Sequence, residues 1–165
     1  MSVERKQILA PFKSANHAHA RCLKSALTKA ESVCQARGVR LTRLRRRVLE
    51  LVLGSHEPVK AYEVLEQLGT QRKRAAPPTV YRALDFLQEE GFVHRIESMN
   101  AYIGCGEPGH QGASQFLICH KCGEVAELDD DEIFAVIFKK AKRLGFRIDD
   151  QTVELKGLCK SCRPG

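Results

Sequence analysis

The chain has no long apolar run. The longest one, residues 133–138, is far too short to cross a bilayer. The N-terminus carries Glu4, Arg5 and Lys6, but no apolar segment follows them, so the sequence predicts no secretory signal peptide. We therefore expect a cytoplasmic protein, in a reducing compartment that keeps cysteine thiolates available to metals.

The chain also lacks the even number of cysteines expected of a disulfide framework, since it has seven. Four of them form two close pairs, Cys119-x-x-Cys122 and Cys159-x-x-Cys162. Two intervening residues let both thiolates of a pair point to one tetrahedral centre, and Gly123 relaxes the turn after the first pair. The spacing predicts one closed structural zinc site, with two CxxC disulfides or four buried free thiols as the alternatives.

A recognisable set of nucleophile, base and orienting group is missing as well. We therefore predict neither an enzyme nor a small-molecule substrate, although CxxC pairs also occur in redox proteins. A zinc-ribbon scaffold or an RNA-binding module is a second alternative. It would explain the four cysteines but not the pattern of the N-terminal half.

Charge is distributed unevenly along the chain, whose formal net charge is +7. Residues 1–95 contain 18 Lys and Arg against 9 Asp and Glu, a net charge of +9. Residues 96–165 contain 9 against 11, a net charge of −2. This contrast favours one domain that binds a polyanion and another with a different task, and a solvated basic face is the alternative.

The N-terminal half has the pattern of a winged helix-turn-helix domain. We predict four helices and one hairpin: residues 28–37, the segment after the N-cap Thr42, residues 61–68, residues 79–90, and the hairpin of residues 92–96 and 101–103. In the fourth helix Val80, Leu84 and Leu87 recur at the spacing of a buried face, so Tyr81 and Arg82 face outward. This helix would enter the major groove, and the hairpin would be the wing.

The C-terminal half predicts a small sheet with one helix. Strands are expected at residues 115–118, 125–128 and 147–158, with a helix at residues 131–144. One sheet with one helix leaves an apolar stripe uncovered, which favours a homodimer; the stripe contains Ile133, Val136, Ile137 and Leu144.

The predicted fold class is therefore α+β: an N-terminal winged helix-turn-helix domain followed by a small α/β dimerisation domain with the four-cysteine zinc site. We divide the chain into an N-terminal extension (residues 1–27), the DNA-binding domain (28–103), a glycine-rich hinge (104–113) and the dimerisation and metal-binding domain (114–165). Residues 17–22, His-Ala-His-Ala-Arg-Cys, could bind metal, but we interpret them as an exposed extension.

Four motifs resemble the ferric uptake regulator (Fur) family, and within it the zinc uptake regulator (Zur) branch. They are Gly38-Val39-Arg40-Leu41-Thr42, the run from Pro77-Pro78-Thr79-Val80-Tyr81-Arg82 to Leu87, the run from Glu90-Gly91-Phe92-Val93-His94 to Ser98, and Gly157-Leu158-Cys159-x-x-Cys162. The likeness covers about residues 28–163. It implies a dimeric, metal-dependent repressor that binds palindromic double-stranded operator DNA.

The resemblance further implies a second, regulatory zinc, and so two zinc ions per chain. Its ligands would be His94, Cys105, Glu127 and His110, with His120 as the alternative to His110. A thiolate with imidazoles prefers zinc, whereas carboxylate- and nitrogen-rich sites suit iron or manganese. The implied function is zinc-dependent repression of zinc uptake genes, and an iron- or peroxide-sensing regulator of the same family is the alternative.

DNA contacts follow from the same resemblance. Arg82 and Tyr62 match family positions that contact bases, and Tyr81 would meet a phosphate or a thymine methyl. The remaining expected DNA-contacting residues, most of them for the DNA backbone, are Thr79, Arg43, Arg45, Arg72, Lys73 and Arg74. Tyr62 packed under the third helix is the alternative for that residue, and Cys34 is expected in the core.

Overall fold

The structure is a computed structural model that describes residues 8–12, 19–54, 56–69 and 76–164. These residues form two compact units. The winged-helix unit contains the described residues of 19–111, and the C-terminal unit contains residues 8–12 and 112–164. The predicted basic turn with Arg72, Lys73 and Arg74 lies outside the described residues.

The predicted extension does not stand apart from the two units. Its first described element is a strand, β1 (Ile8–Ala10), which belongs to the C-terminal unit. The next element, helix α1, begins at His19 and belongs to the winged-helix unit. The predicted hinge, residues 104–113, is divided between the units after Gln111.

The winged-helix unit has four helices and a hairpin, as predicted. They are α1 (His19–Arg37), α2 (Arg43–Val52), α3 (Ala61–Gly69), α4 (Pro77–Glu89), β2 (Val93–Ile96), a 3₁₀ turn (Glu97–Met99) and β3 (Ala101–Gly104). Thr42 caps α2, because its hydroxyl accepts a hydrogen bond from the Arg45 amide at 3.3 Å. Pro77 and Pro78 open α4, where a missing N–H costs nothing.

The core of this unit lies between the helices. Val48, Val64, Val80 and Leu84 are fully buried, which confirms the predicted inward face of α4. Cys34 is also buried, as expected. Burying such aliphatic side chains contributes about 1.5–3 kcal/mol each, so the apolar spacing alone accounts for much of the packing.

Helix α1 is longer than predicted, since it starts at His19 rather than near residue 28. Leu27, Ala30 and Cys34 face the core, and Leu23 packs against it one turn earlier. Their spacing of three and four residues is the pattern of an amphipathic helix. The pattern was present in the sequence, but polar residues around it hid its first half.

The wing is an antiparallel two-stranded ribbon, in which each residue of β2 pairs with one residue of β3. Its register pairs Val93 with Gly104 and His94 with Ile103. Asn100 has φ 47° and turns the chain into β3. Val59 adds a further bridge, exchanging two backbone hydrogen bonds of 2.8 Å with Tyr102.

The C-terminal unit is a four-stranded sheet with one helix. Its elements are β1, β4 (Gln115–Cys119), β5 (Val125–Leu128), α5 (Asp131–Arg143) and β6 (Val153–Gly157), and the strand order is β1-β5-β4-β6. β4 is antiparallel to β5 but parallel to β6. β6 is shorter than predicted. Before it, Asp149 accepts a hydrogen bond from the Arg147 side chain and Asp150 accepts one from the Gln151 amide, and such local bonds compete with strand pairing.

Helix α5 leaves its apolar side chains at the surface. Asp130 caps the helix by accepting a hydrogen bond from the Glu132 amide at 2.9 Å. Across Asp131–Arg143 no residue is buried, and Val136 and Phe138 are about half exposed, at 55% and 48%. In the described part of the chain, no helix is both long and apolar enough to span a membrane.

Candidate metal centre and nucleic-acid interface

The four cysteines of the two CxxC pairs lie together at one end of the C-terminal sheet. Cys119 is the last residue of β4 and pairs with Gly157, the last residue of β6. Because the two strands are parallel, their carboxyl ends lie at the same edge, and so do the turns that follow them. Gly123 has φ 79° in the first turn, which is the relaxed turn that the sequence predicted.

The geometry of this cluster fits a tetrahedral zinc ion. All four Sγ atoms lie within 4.8 Å of one another, and those of Cys122 and Cys159 are 3.9 Å apart. Zinc–sulfur bonds of about 2.3 Å require an Sγ–Sγ distance of about 3.8 Å. None of the seven cysteines, all of which are described, forms a disulfide. The four thiols therefore match a closed structural site and not the alternative of two CxxC disulfides.

Backbone donors prepare one of these thiols for ligation. The amide of Cys159, and then that of Cys122, lowers the pKa of Cys119 to about 6. The neighbouring Cys159 thiol raises the pKa of Cys162 to about 12. Without metal the cluster thus keeps some protons at neutral pH, and a metal must displace them to bind. Lys121, Lys160 and Arg163 are exposed nearby and would offset the double negative charge of a zinc–thiolate centre.

Two further candidate metal ligands, the thiol of Cys105 and the imidazole of His94, lie on the wing. The Cys105 amide donates to the carbonyl of Phe92 at 2.9 Å, which extends the β2–β3 ladder by one pair beyond Gly104. Strand alternation then puts Cys105 on the same face as His94. A ring nitrogen of His94 lies within 4.8 Å of Cys105 Sγ. The hairpin therefore brings together a thiol and an imidazole that are eleven residues apart in sequence.

His110 lies in the loop that follows Cys105. In the described structure, the ring nitrogens of His110 do not lie within 4.8 Å of the ligand atoms of both His94 and Cys105. The structure thus brings together two of the three ligands predicted for this unit. The backbone of His110 is nonetheless held in place, because the His110 amide donates to the carbonyl of Glu107 at 3.0 Å.

Arg37 ties this loop to the end of α4. Its guanidinium donates to the carbonyl of Glu90 at 2.8 Å, to the carboxylate of Glu90 at 3.0 Å, and to the carbonyl of Gly109 at 2.7 Å. The Gly109 amide also donates to the carbonyl of Gly91 at 2.9 Å. Sequence reasoning missed this role of Arg37, since nothing in the local pattern marks an arginine that bonds distant carbonyls.

Gly91 is essential to the same contact. It has φ 72°, and a Cβ atom placed on it would lie 2.1 Å from the carbonyl oxygen of His110. Only glycine allows the loop to approach this closely.

Glu127, the remaining predicted ligand, belongs to β5 in the C-terminal unit. It is buried and accepts a hydrogen bond of 2.7 Å from Ser114 Oγ. His120, the alternative to His110, lies between Cys119 and Cys122 in the same unit and is exposed.

The outer face of α4 carries the expected DNA-contacting side chains. Thr79, Tyr81 and Arg82 are exposed, while Val80 and Leu84 of the same helix are buried. Tyr62 on α3 is 54% exposed, so it does not pack beneath its helix. Arg43, at the start of α2, is exposed as well.

Arg45 has an internal role that the sequence did not indicate. Its guanidinium stacks 3.5 Å above the ring of Phe86 in α4 and donates to the carbonyl of Arg40 at 2.7 Å. The stacking joins α2 to α4, and the hydrogen bond joins α2 to the segment that precedes it. Arg45 therefore helps to hold the position of α4, and its expected contact with the DNA backbone stays a prediction.

The model of the ferric uptake regulator family matches residues 36–156, which span both units. The chain belongs to the ferric uptake regulator family. This confirms the resemblance stated from the motifs.

Within the ferric uptake regulator family, the chain is similar to several zinc uptake regulators. The zinc uptake regulation protein of Escherichia coli K12 is 40% identical over 139 residues, which cover 82% of this chain and 80% of that protein. A solved zinc uptake regulator complexed with zinc and DNA is 38% identical, with a TM-score of 0.78 over 84% of this chain and 93% of that one. The holo form of XcZur is 45% identical, with a TM-score of 0.77 over 83% and 96%.

Proposed function

We propose that this chain is a zinc-responsive transcriptional repressor. It binds palindromic operator DNA as a homodimer when a regulatory zinc site is filled, and it controls zinc uptake genes. Because operator DNA lies in the cytoplasm, the repressor would act there. The observation that carries the proposal is the thiol–imidazole pair of Cys105 and His94, built into the wing directly after the helix that would read DNA.

The metal is proposed from the chemistry of this pair. Zinc prefers a thiolate with imidazoles, whereas iron(II) and manganese(II) favour sites without a soft sulfur ligand. We therefore favour zinc over the iron- or peroxide-sensing alternative. The similarity to zinc uptake regulators, one of them solved with zinc and DNA, supports the same choice.

The proposed regulatory ligands are His94, Cys105 and His110 of the winged-helix unit together with Glu127 of the C-terminal unit, with His120 as the alternative to His110. Cys105 and Glu127 would supply two negative charges, which zinc cancels. Since the ligands would come from both units, zinc would favour the one arrangement of the units that completes its coordination. A ligand shifts an equilibrium through such differential affinity.

The four-cysteine cluster would hold the other zinc ion, giving two per chain. It has no open position for a substrate, so its contribution would be to folding. It would join the turns after β4 and β6 and thereby stabilise a sheet that has little core of its own.

DNA reading is proposed for the exposed face of α4. Arg82 would contact base edges, since arginine to guanine is the commonest specific contact. Tyr62 is proposed as a second base contact, and Tyr81, Thr79 and Arg43 would hold the DNA backbone or a thymine methyl. Arg72, Lys73 and Arg74 remain proposed backbone contacts on sequence grounds alone.

The homodimer is proposed from the uncovered apolar face of the C-terminal unit. Besides Val136 and Phe138, it exposes Phe146 and Leu155, at 65% and 54%. Large exposed apolar patches mark interaction sites, and a second copy would bury this one. Two recognition helices related by a twofold axis would then suit the two halves of a palindrome.

The test is a zinc titration combined with DNA binding. The probe is duplex DNA selected from a random pool by the zinc-loaded protein. Protein that a mild chelator has reduced to one zinc per chain should lose specific binding but stay dimeric. A second equivalent of zinc should restore binding, and iron(II) or manganese(II) should not. Full specific binding at one zinc per chain would overturn the proposal.

A further inference from the structure

His19, Cys22 and His56 carry side chains of types that can ligate a metal, and they lie outside the sites described above. His19 and Cys22 belong to the motif His-Ala-His-Ala-Arg-Cys, which the sequence analysis left without a role. His56 lies in the turn between α2 and α3, 37 residues further on. All three belong to the winged-helix unit and are partly buried.

The fold brings the two histidines into direct contact. His19 is the first residue of α1, and its Nδ1 lies 3.0 Å from Nε2 of His56. Their rings meet edge to face, with centroids 4.5 Å apart and planes at 82°. The other ring nitrogen of His19, Nε2, is buried and has no hydrogen-bond partner within the described residues. Nδ1 is therefore the nitrogen of His19 that is available to a ligand.

The distance between the two nitrogens suits coordination. In a tetrahedral site with zinc–nitrogen bonds of about 2.0–2.1 Å, two imidazole nitrogens lie about 3.3 Å apart. A small outward movement of the two rings would reach that separation.

Cys22 lies one helical turn after His19. Residues three apart share one face of a helix, so the thiol is on the side that carries His19. In the described structure the three ligand atoms do not all lie within 4.8 Å of one another, so the thiol would join through a rotation of its side chain. Side chains on a helix adopt more than one staggered rotamer, and a change between them would move the thiol.

We propose that His19 and His56 form a third metal site for zinc or a similar late divalent cation, with Cys22 as its soft ligand. On binding, the hydrogen shared by the two rings moves to the opposite nitrogen of its own imidazole, so that both facing nitrogens carry lone pairs. The Cys22 thiol releases its proton to solvent as the thiolate binds. The ion would fasten the start of α1 to the turn between α2 and α3.

The inference stands apart from the proposed function. None of the three residues belongs to the cysteine centre or to the proposed regulatory set. Zinc content and zinc-dependent DNA binding can be measured on the same samples, so the failure of one idea is separate from the failure of the other.

The test is a zinc(II) titration of the full chain with metal analysis after removal of loosely bound ions. The wild-type chain should bind three zinc ions, and His19→Gln and His56→Gln should each bind two. Both variants should keep the DNA binding that the wild type has at two zinc ions per chain. Circular dichroism checks that each variant is folded. Nitrogen-15 spectra of the imidazoles should place the third ion on Nδ1 of His19 and Nε2 of His56.

Cobalt(II) tests the thiol. Added to protein whose first two sites hold zinc, it should give a thiolate-to-cobalt absorption band that Cys22→Ser abolishes. A band that survives in Cys22→Ser would remove this residue from the site. A wild-type chain that stops at two zinc ions, with histidine spectra unchanged by further zinc, would overturn the proposal.

Discussion

Substitution of Gly91 by alanine should destabilise the winged-helix unit far more than the same change at Gly38. Both glycines follow a helix and have nearly equal left-handed angles, φ 72° and φ 68°. For alanine that conformation costs about 1–2 kcal/mol at either position. They differ in the space around them. Beyond its chain neighbours, a Cβ atom at Gly38 would have no described residue within 4 Å, whereas one at Gly91 would lie 2.1 Å from the His110 carbonyl oxygen.

That clash is with backbone and cannot be relieved by a side-chain rotation. Overpacking of this kind costs about 1–3 kcal/mol, so Gly91→Ala should lose roughly 2–5 kcal/mol in total and Gly38→Ala roughly 1–2 kcal/mol. The assay is urea unfolding followed by far-ultraviolet circular dichroism. With a slope of about 2 kcal/mol per molar urea, the two midpoints should differ by roughly 0.5–1.5 M.

The two variants should also differ in zinc sensing. Gly91→Ala must displace the loop that carries the proposed ligand His110, and it should therefore require more zinc for DNA binding. Gly38→Ala should need the same zinc concentration as the wild type. Equal shifts of the unfolding midpoint in the two variants would refute the argument, since they would mean that the loop does not lie against Gly91.

Three further predictions concern the metal centres and the DNA surface. Cys162→Ser should reduce tightly bound zinc by one ion per chain and unfold or monomerise the C-terminal unit, as checked by metal analysis and sedimentation; a normal dimer would contradict a structural role. Arg82→Ala should cost about 1–3 kcal/mol and relax base preference, whereas Arg43→Ala should weaken all sequences alike and lower the salt slope by about one, both measured by titration of DNA at several salt concentrations. Cys105→Ser should dimerise and keep the zinc ion of the four-cysteine centre, yet need far more zinc to bind DNA; unchanged zinc sensitivity would favour the iron- or peroxide-sensing alternative.

The winged helix could be predicted because its signals are local. Val80, Leu84 and Leu87 repeat with the helical period, and the pair of prolines and Gly91 mark the two ends of α4. Each of these features acts within a few residues of itself, so one sequence suffices to find them.

The four-cysteine site could be predicted for a similar reason. Each pair is local, and only the meeting of the two pairs depends on the fold. The parallel register of β4 and β6 supplies that meeting. Zinc ligands at a regular spacing thus indicated a long-range contact that hydrophobic periodicity does not encode.

Other features were missed because their causes are not local. Strand β1 joins the C-terminal sheet through backbone hydrogen bonds, for which residues 8–10 carry no distinctive side-chain pattern. The Arg37 contacts and the His19–His56 pair each join residues that are 37 or more positions apart. Such pairs depend on how helices pack, and helix packing cannot be derived from the spacing within one helix.

The attachment of the 105–110 loop has a consequence for how tightly zinc can bind. Ordering a flexible residue costs about 1–2 kcal/mol of conformational entropy. Here Arg37 and Gly91 fix the loop when the winged-helix unit folds, so that entropy is lost before any metal arrives. A zinc ion bound at the proposed site would not have to order the loop again, and this preorganisation favours a higher affinity.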